Sequence, residues 1–206
     1  MKYDLHIHSK YSYDSFLEPK KIIKVAKKRG LRGIAVTDHN TIKGGIKTKH
    51  INKDKDFEVV IGSEIKTEFG DVIGLFLSSE VVSRQFEEVI EEIHNQNGFI
   101  ILAHPYRQYN SPEKLIENFD YIEGFNARSK KSLNDSSSNL AKRYNKAVLG
   151  GSDAHSAFEI GRGYTKTDIE IENALRKKET KIGGCETNYF LSHCISLSME
   201  IIKKIK

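Results

Sequence analysis

Five short apolar runs in this chain each hand over to a histidine or a carboxylate, and that pattern limits the fold more than any other feature. They are Tyr3–Ile7 with its interleaved His6 and His8, Gly33–Thr37 before His39, Phe57–Gly62 before Glu64, Phe99–Ala103 before His104, and Ala147–Gly151 before Asp153 and His155. Runs this short and this apolar read as strands, most of them buried on both faces. In the first, Tyr3, Leu5 and Ile7 alternate with Asp4, His6 and His8, and a period of two places both imidazoles on one face. A further strand, Asp71–Phe76, is expected to pair with the preceding one through a turn at Gly70.

Between the strands lie helical patterns. Pro19 opens a helix running to about Arg29, where its missing N–H costs nothing, and Gly30 stops it. Others are expected near 42–52, 80–97, 136–144 and 169–178, with a short one from Pro112 and an amphipathic helix from about Leu197. The stretch around Cys185 has no clear pattern. Strand, polar loop and helix thus recur about seven times, which argues for a parallel α/β fold. A barrel fits better than an open sheet, because only a closed ring aims the ends of nearly all strands at one centre. No glycine-rich nucleotide fingerprint supports the open sheet. The whole chain, 1–206, is expected to form a single domain.

Composition removes several classes of function. The 38% hydrophobic and 30% charged residues are those of a globular protein. The two cysteines, Cys185 and Cys194, support neither a disulfide framework nor a thiolate zinc site, so a cytoplasmic location is expected. No apolar run approaches the roughly 20 residues of a membrane span, and the chain enters a strand at once rather than a signal-peptide core. The net charge of +5 is consistent with phosphate binding, but much of the excess lies in lysine pairs on helix faces and loops and is weak ground for general nucleic-acid binding.

Five of the eight histidines stand at expected strand ends, with Glu64 and Asp153. His50, His94 and His193 lie elsewhere, and His94 reads as a structural residue of its helix. So many imidazoles and carboxylates exceed the four ligands of one tetrahedral site, and without thiolate they suit Zn, Mn or Fe, among which the sequence does not choose. Asp14 is either a loop cap or a ligand beside His6 and His8. Arg107 and Arg128 follow strand ends; each suits either bidentate grip of phosphate or a surface salt bridge.

Taken in order, Asp4-Leu5-His6-Ile7-His8-Ser9, Thr37-Asp38-His39-Asn40-Thr41, Gly62-Ser63-Glu64, Ala103-His104-Pro105 and Gly151-Ser152-Asp153-Ala154-His155 resemble the motif series of the PHP (polymerase and histidinol phosphatase) superfamily of metal-dependent phosphoesterases. The resemblance implies a distorted (β/α)7 TIM-like barrel carrying two or three divalent transition metal ions. It implies one ion on His6, His8, Glu64 and Asp153, a second on Glu64 and His104, and a third on His39, His155 and Asp14. Many relatives place another histidine ligand where this chain has Asp71, so Asp71 is either a carboxylate ligand or a solvent-facing strand end. Asp38 is expected to orient an imidazole. The implied reaction is hydrolysis of a phosphomonoester or short phosphodiester by metal-bound hydroxide, with no side-chain nucleophile. A nucleotide or small oligonucleotide substrate is favoured, since relatives acting on nucleotides share the Asp14-type ligand and the tight Glu64-to-Asp71 spacing. The alternatives are a histidinol-phosphate-type or phosphotyrosine phosphatase, and a non-catalytic PHP binding module. The oligomeric state and the role of 180–206 are left open.

Overall fold

The structure, a computed structural model, describes residues 1–109 and 111–205. Its strands are β1 (Lys2–Ile7), β2 (Gly33–Val36), β3 (Glu58–Lys66), β4 (Asp71–Leu75), β5 (Phe99–Leu102), β6 (Tyr121–Asn126), β7 (Ala147–Gly151), β8 (Gly163–Lys166) and β9 (Lys181–Gly184). They form one sheet in the order β7-β6-β5-β4-β3-β2-β1-β8-β9. The first seven curl into a ring. Past the ends of β7 and β1, Ile7 bridges Ala154 in parallel, with the His8 N–H donating to the Ala154 carbonyl at 2.9 Å. At the opposite end β8 runs antiparallel to β1, pairing Tyr3 with Thr165, and Thr165 Oγ1 accepts from the Gly150 N–H of β7 at 2.8 Å. Direct contact therefore closes the barrel at one end, and the antiparallel β8–β9 pair is wedged in at the other. The expected TIM-like barrel is present.

Within the ring β1–β7 most neighbouring strands are parallel, but β4 is antiparallel to both β3 and β5. The four-residue link after Lys66 is too short for a crossover and makes a hairpin, in which Lys66 pairs with Asp71. Reversal of β4 puts its first residue, Asp71, at the rim where the parallel strands end.

Tyr3, Leu5, Ala35, Val60, Ile73, Ile101, Tyr121 and Leu149 fill the barrel interior. Ile7 instead joins Ile22, Ala26, Ile34 and Val36 under helix α1 (Pro19–Lys28). Strict alternation would have kept Ile7 with Leu5. Between Asp4 and Ile7, β1 carries one residue more than β2 across the same span, and such a bulge re-aims side chains. Asp4 consequently faces Ser152 rather than sharing the surroundings of His6 and His8.

Helix α2 (Lys43–Ile51) matches expectation. Helix α3 is Phe86–His94, shorter than the apolar spacing of 80–97 suggests. Glu92 accepts from the Val82 and Ser83 N–H groups at 2.6 and 2.9 Å, and Glu68 accepts from that of Phe86, so carboxylates satisfy backbone that a longer helix would have paired. A helical turn α4 (Pro105–Gln108) follows β5, and the helix expected at Pro112 is a pair of 3-10 turns. Helix α5 (Lys131–Arg143) starts five residues early, α6 is Ile171–Lys177, and α7 (Tyr189–Ile205) starts well before Leu197. Among the described residues no helix is long and apolar enough to cross a membrane.

Candidate metal centre

All nine proposed ligands converge at the rim of the barrel. Four donor atoms sit at its heart: His6 Nε2, His8 Nε2, Glu64 Oε2 and Asp153 Oδ1. His6 and His8 approach each other to 3.1 Å, lie 3.3 and 3.2 Å from Glu64, and lie 3.6 and 3.4 Å from Asp153. Bonds of about 2.0–2.2 Å to a tetrahedral ion set neighbouring ligand atoms roughly 3.3–3.6 Å apart. Five of the six edges of that tetrahedron thus have nearly the lengths an ion requires.

Glu64 extends the cluster in two directions. Its Oε1 lies 2.8 Å from His104 Nε2, and its Oε2 lies 3.3 Å from His39 Nδ1. Glu64, Asp71 and His104 form one further group with ligand-like spacing, and His8, Asp14, His39 and His155 form another. In the latter, Asp14 Oδ2 stands 2.7 Å from His155 Nε2 and 3.4 Å from His39 Nε2. Asp14 Oδ1 also accepts from the Ser12 hydroxyl of its own loop at 2.7 Å, so the carboxylate serves the loop and the cluster together. Asp71 is buried against the cluster, so its solvent-facing alternative is corrected.

The electrostatics are those of a buried, densely charged site. Burial opposes ionisation of Glu64, but His6 and His39 overcome it and hold the carboxyl well below its usual range. Asp153 is likewise held low against burial, chiefly by Arg107 and His6. His8 moves the other way, pushed up to about 10 by Asp153 and Glu64 although burial pulls it down. Each carboxylate stabilises cationic charge at its neighbours, as a metal ion would exploit.

Side chains outside the cluster set its geometry. Glu123, buried on β6, accepts from His6 Nδ1 at 2.9 Å through Oε1, and from the His104 N–H and Asn126 Nδ2 through Oε2. That bond turns His6 Nε2 toward the other donors. Glu123 was missed in the sequence; its signal was a charge inside the apolar run Tyr121–Phe125. Asp4 accepts from the N–H and hydroxyl of Ser152 and from the Gly161 N–H, at 2.5–2.8 Å, pinning the Asp153 segment; burial still pushes its carboxyl up to about 6. The hydrogen bonds of Asp38 go to the Ser9 N–H and hydroxyl rather than to an imidazole, so Asp38 holds the loop after His8.

A cavity of about 470 Å³ opens onto the cluster, lined in part by Tyr13, Lys66, Arg107, Arg128, Leu197 and Glu200. Tyr13 stacks on His39, with ring centroids 4.7 Å apart. Neither arginine is free. Arg107 Nη2 lies 2.6 Å from Asp153 Oδ2. Arg128 is buried, with Nη1 against His155 Nδ1 and Nη2 donating to Ser192 O and Ser196 Oγ, each at 2.9 Å. Its surface salt-bridge alternative is corrected, and its phosphate role is weakened. These bonds, with Lys203 Nζ donating to the carbonyls of Lys10 and Ser12, fasten α7 as one wall of the cavity.

The PHP domain model matches residues 4–182, most of the chain. The chain belongs to the PHP domain family. An uncharacterized protein of Methanocaldococcus jannaschii is 45% identical over 141 residues, 62% of this chain and 82% of that one. A 5'-3' exoribonuclease of Haemophilus influenzae is 38% identical over 66 residues, 32% of this chain and 24% of its own length. The fold is shared with a two-domain Bacteroides vulgatus protein described as containing a predicted PHP-like metal-dependent phosphoesterase, at a TM-score of 0.77 and 18% identity. That match covers 90% of this chain and 65% of the other.

Proposed function

We propose that this PHP protein is a metal-dependent phosphoesterase that hydrolyses a phosphomonoester or short phosphodiester, with a nucleotide or small oligonucleotide favoured. The observation that carries the reading is the spacing of 3.1–3.6 Å among the donors of His6, His8, Glu64 and Asp153. These four would hold one ion, Glu64 with His104 and Asp71 a second, and Asp14 with His39 and His155 a third. Imidazole and carboxylate donors suit Zn, Mn or Fe, and both cysteines are exposed and take no part. Bound divalent ions would activate water and neutralise phosphoryl oxygens, which supplies the chemistry without a nucleophilic side chain.

The chain's own residues shape the site around that chemistry. Glu123 keeps His6 turned inward, Asp4 and Ser152 hold the Asp153 backbone, and Arg107 balances the charge of Asp153. The nucleotide preference draws on the exoribonuclease relative and on a cavity within the roughly 300–1,000 Å³ typical of small-molecule sites.

Elemental analysis paired with a phosphate-release screen over monophosphates, dinucleotides and an aryl phosphate tests the proposal. Two or three metal equivalents and turnover of one class are expected. Metal-replete protein that releases no more phosphate than a His6→Ala/His8→Ala double variant would overturn it.

A further inference from the structure

We propose that Lys66 is the substrate-phosphate contact of this site, a cation reserved for the charge of a bound phosphoryl group; the inference rests on the phosphoesterase reading above. Three cations line the cavity: Lys66, Arg107 and Arg128. Two are spent within the protein. Arg107 is committed to Asp153, and Arg128 to His155, Ser192 and Ser196, with Glu159 Oε1 a further 3.5 Å from its Nε. The ammonium of Lys66 makes no hydrogen bond or ion pair among the described residues.

Its placement is built rather than incidental. Lys66 is the last residue of β3 and follows Glu64 by two, so both side chains leave the strand on the same face. The strand end is fixed from the neighbouring loop: the Lys66 N–H donates to Asn40 Oδ1 at 3.1 Å, and the Asn40 N–H donates to the Glu64 carbonyl at 2.9 Å. Asn40 adopts φ 58°, a left-handed conformation that asparagine tolerates better than most residues. A rigid backbone thus aims a flexible four-carbon stem over the rim of a site whose inner wall is carboxylate. A phosphoryl group seated on the inner cluster would bring negative charge to that mouth, and a compact ammonium with three donors is suited to meet it. Arg107 could meet the same group only with a guanidinium already shared with Asp153, whereas the Lys66 ammonium has no such prior claim on it.

The test compares metal-loaded parent, Lys66→Gln and Lys66→Arg for hydrolysis of an aryl phosphate monoester and, by calorimetry, for binding of inorganic phosphate. Losing one charge-assisted contact should raise KM and weaken phosphate binding about tenfold. The accompanying fall in kcat should stay below about threefold, and Lys66→Arg should recover most of both. Phosphate affinity of the parent should also fall with added salt more steeply than that of Lys66→Gln. A Lys66→Gln protein matching the parent in KM and phosphate affinity overturns the assignment while leaving the phosphoesterase reading intact. Loss of kcat with phosphate affinity unchanged overturns it too. A parent that neither turns over an ester nor binds phosphate overturns the underlying reading, and Lys66 with it.

Discussion

Replacing Glu123 by Gln tests whether the imidazoles are aimed by their surroundings or only by their own strand. The carboxylate serves two sides at once, His6 Nδ1 at 2.9 Å on Oε1, and the His104 N–H at 2.9 Å and Asn126 Nδ2 at 3.0 Å on Oε2. Glutamine has one acceptor oxygen and must present an NH2 group to the other side. If the oxygen faces His6, the buried His104 N–H meets a donor and is left unpaired, at about 1–3 kcal/mol. If it faces His104, the charge-assisted bond to His6 is lost, at about 1.5–3 kcal/mol. Either way His6 or His104 is no longer held, and outer contacts of this type are worth about 10–100-fold in metal affinity. A factor of that size is about 1.4–2.7 kcal/mol, consistent with losing one of the two bonds. Zinc affinity is measured by competition with a chromophoric chelator, beside far-UV circular dichroism to show that the barrel survives. A folded Glu123→Gln protein binding zinc within about twofold of the parent would refute the reasoning.

Two further substitutions probe the barrel away from the donors. Glu58 is partly buried and its carboxyl is pushed up to about 7, first by burial and then by Glu170, against an ordinary 4.5. Below pH 4.5 folded and unfolded chains both hold the proton; as pH rises toward 7 the unfolded chain loses it first, and stability falls. Glu58→Gln should therefore raise the unfolding midpoint at pH 8 by about 2–4 °C, for roughly 1 kcal/mol after allowing for partial exposure, and give no gain at pH 4. An equal gain at both pH values removes the linkage argument. At Gly44 an added Cβ would overlap the Asp38 carboxylate and crowd Ser9 Oγ, the pair that holds the loop after His8. Gly44→Ala should cost about 1–3 kcal/mol in urea unfolding, and an unchanged midpoint would show that this loop yields freely.

The parallel strands were legible because each is a compact apolar run, and the ligand set because a barrel rim gathers strand ends whatever the details between them. Legibility stopped where a residue's role depends on a distant partner. Glu123 looks like any strand charge until β1 places His6 beside it, and Asp38 is adjacent to His39 yet bonds to Ser9. Thr165 and Tyr164 gave no sign of β8, because that strand is short and mixed in polarity, formed by docking into the gap between β1 and β7. The start of α3 misled for a related reason: Val81 and Val82 continue the helical spacing, but Glu92 captures the Val82 and Ser83 N–H groups from the opposite direction. The period of two in β1 was right as a strand signal and wrong in detail, since the bulge decides which residues share a face.

Two ligand-bearing turns of the rim also carry backbone strain. His104 has φ 28° and ψ 63°, and Asp153 has φ 55°; neither is a glycine. Residues in this region cost about 1–3 kcal/mol each and persist when surrounding structure holds them. Here the His104 N–H is held by Glu123, and Ser152 next to Asp153 is held by Asp4, so the bonds that aim the donors also hold the strained turns. The two contributions separate in a comparison of His104→Ala with His104→Gly. Both remove the imidazole, but only alanine retains a Cβ that the left-handed conformation penalises, by about 1–2 kcal/mol. At an ordinary strand position glycine would be the less stable of the two by about 0.5–1 kcal/mol. At position 104 the order should reverse or vanish, with His104→Gly at least as stable as His104→Ala in urea. Glycine less stable by its ordinary margin would mean that the turn is unstrained and that the rim geometry of His104 needs no support from Glu123.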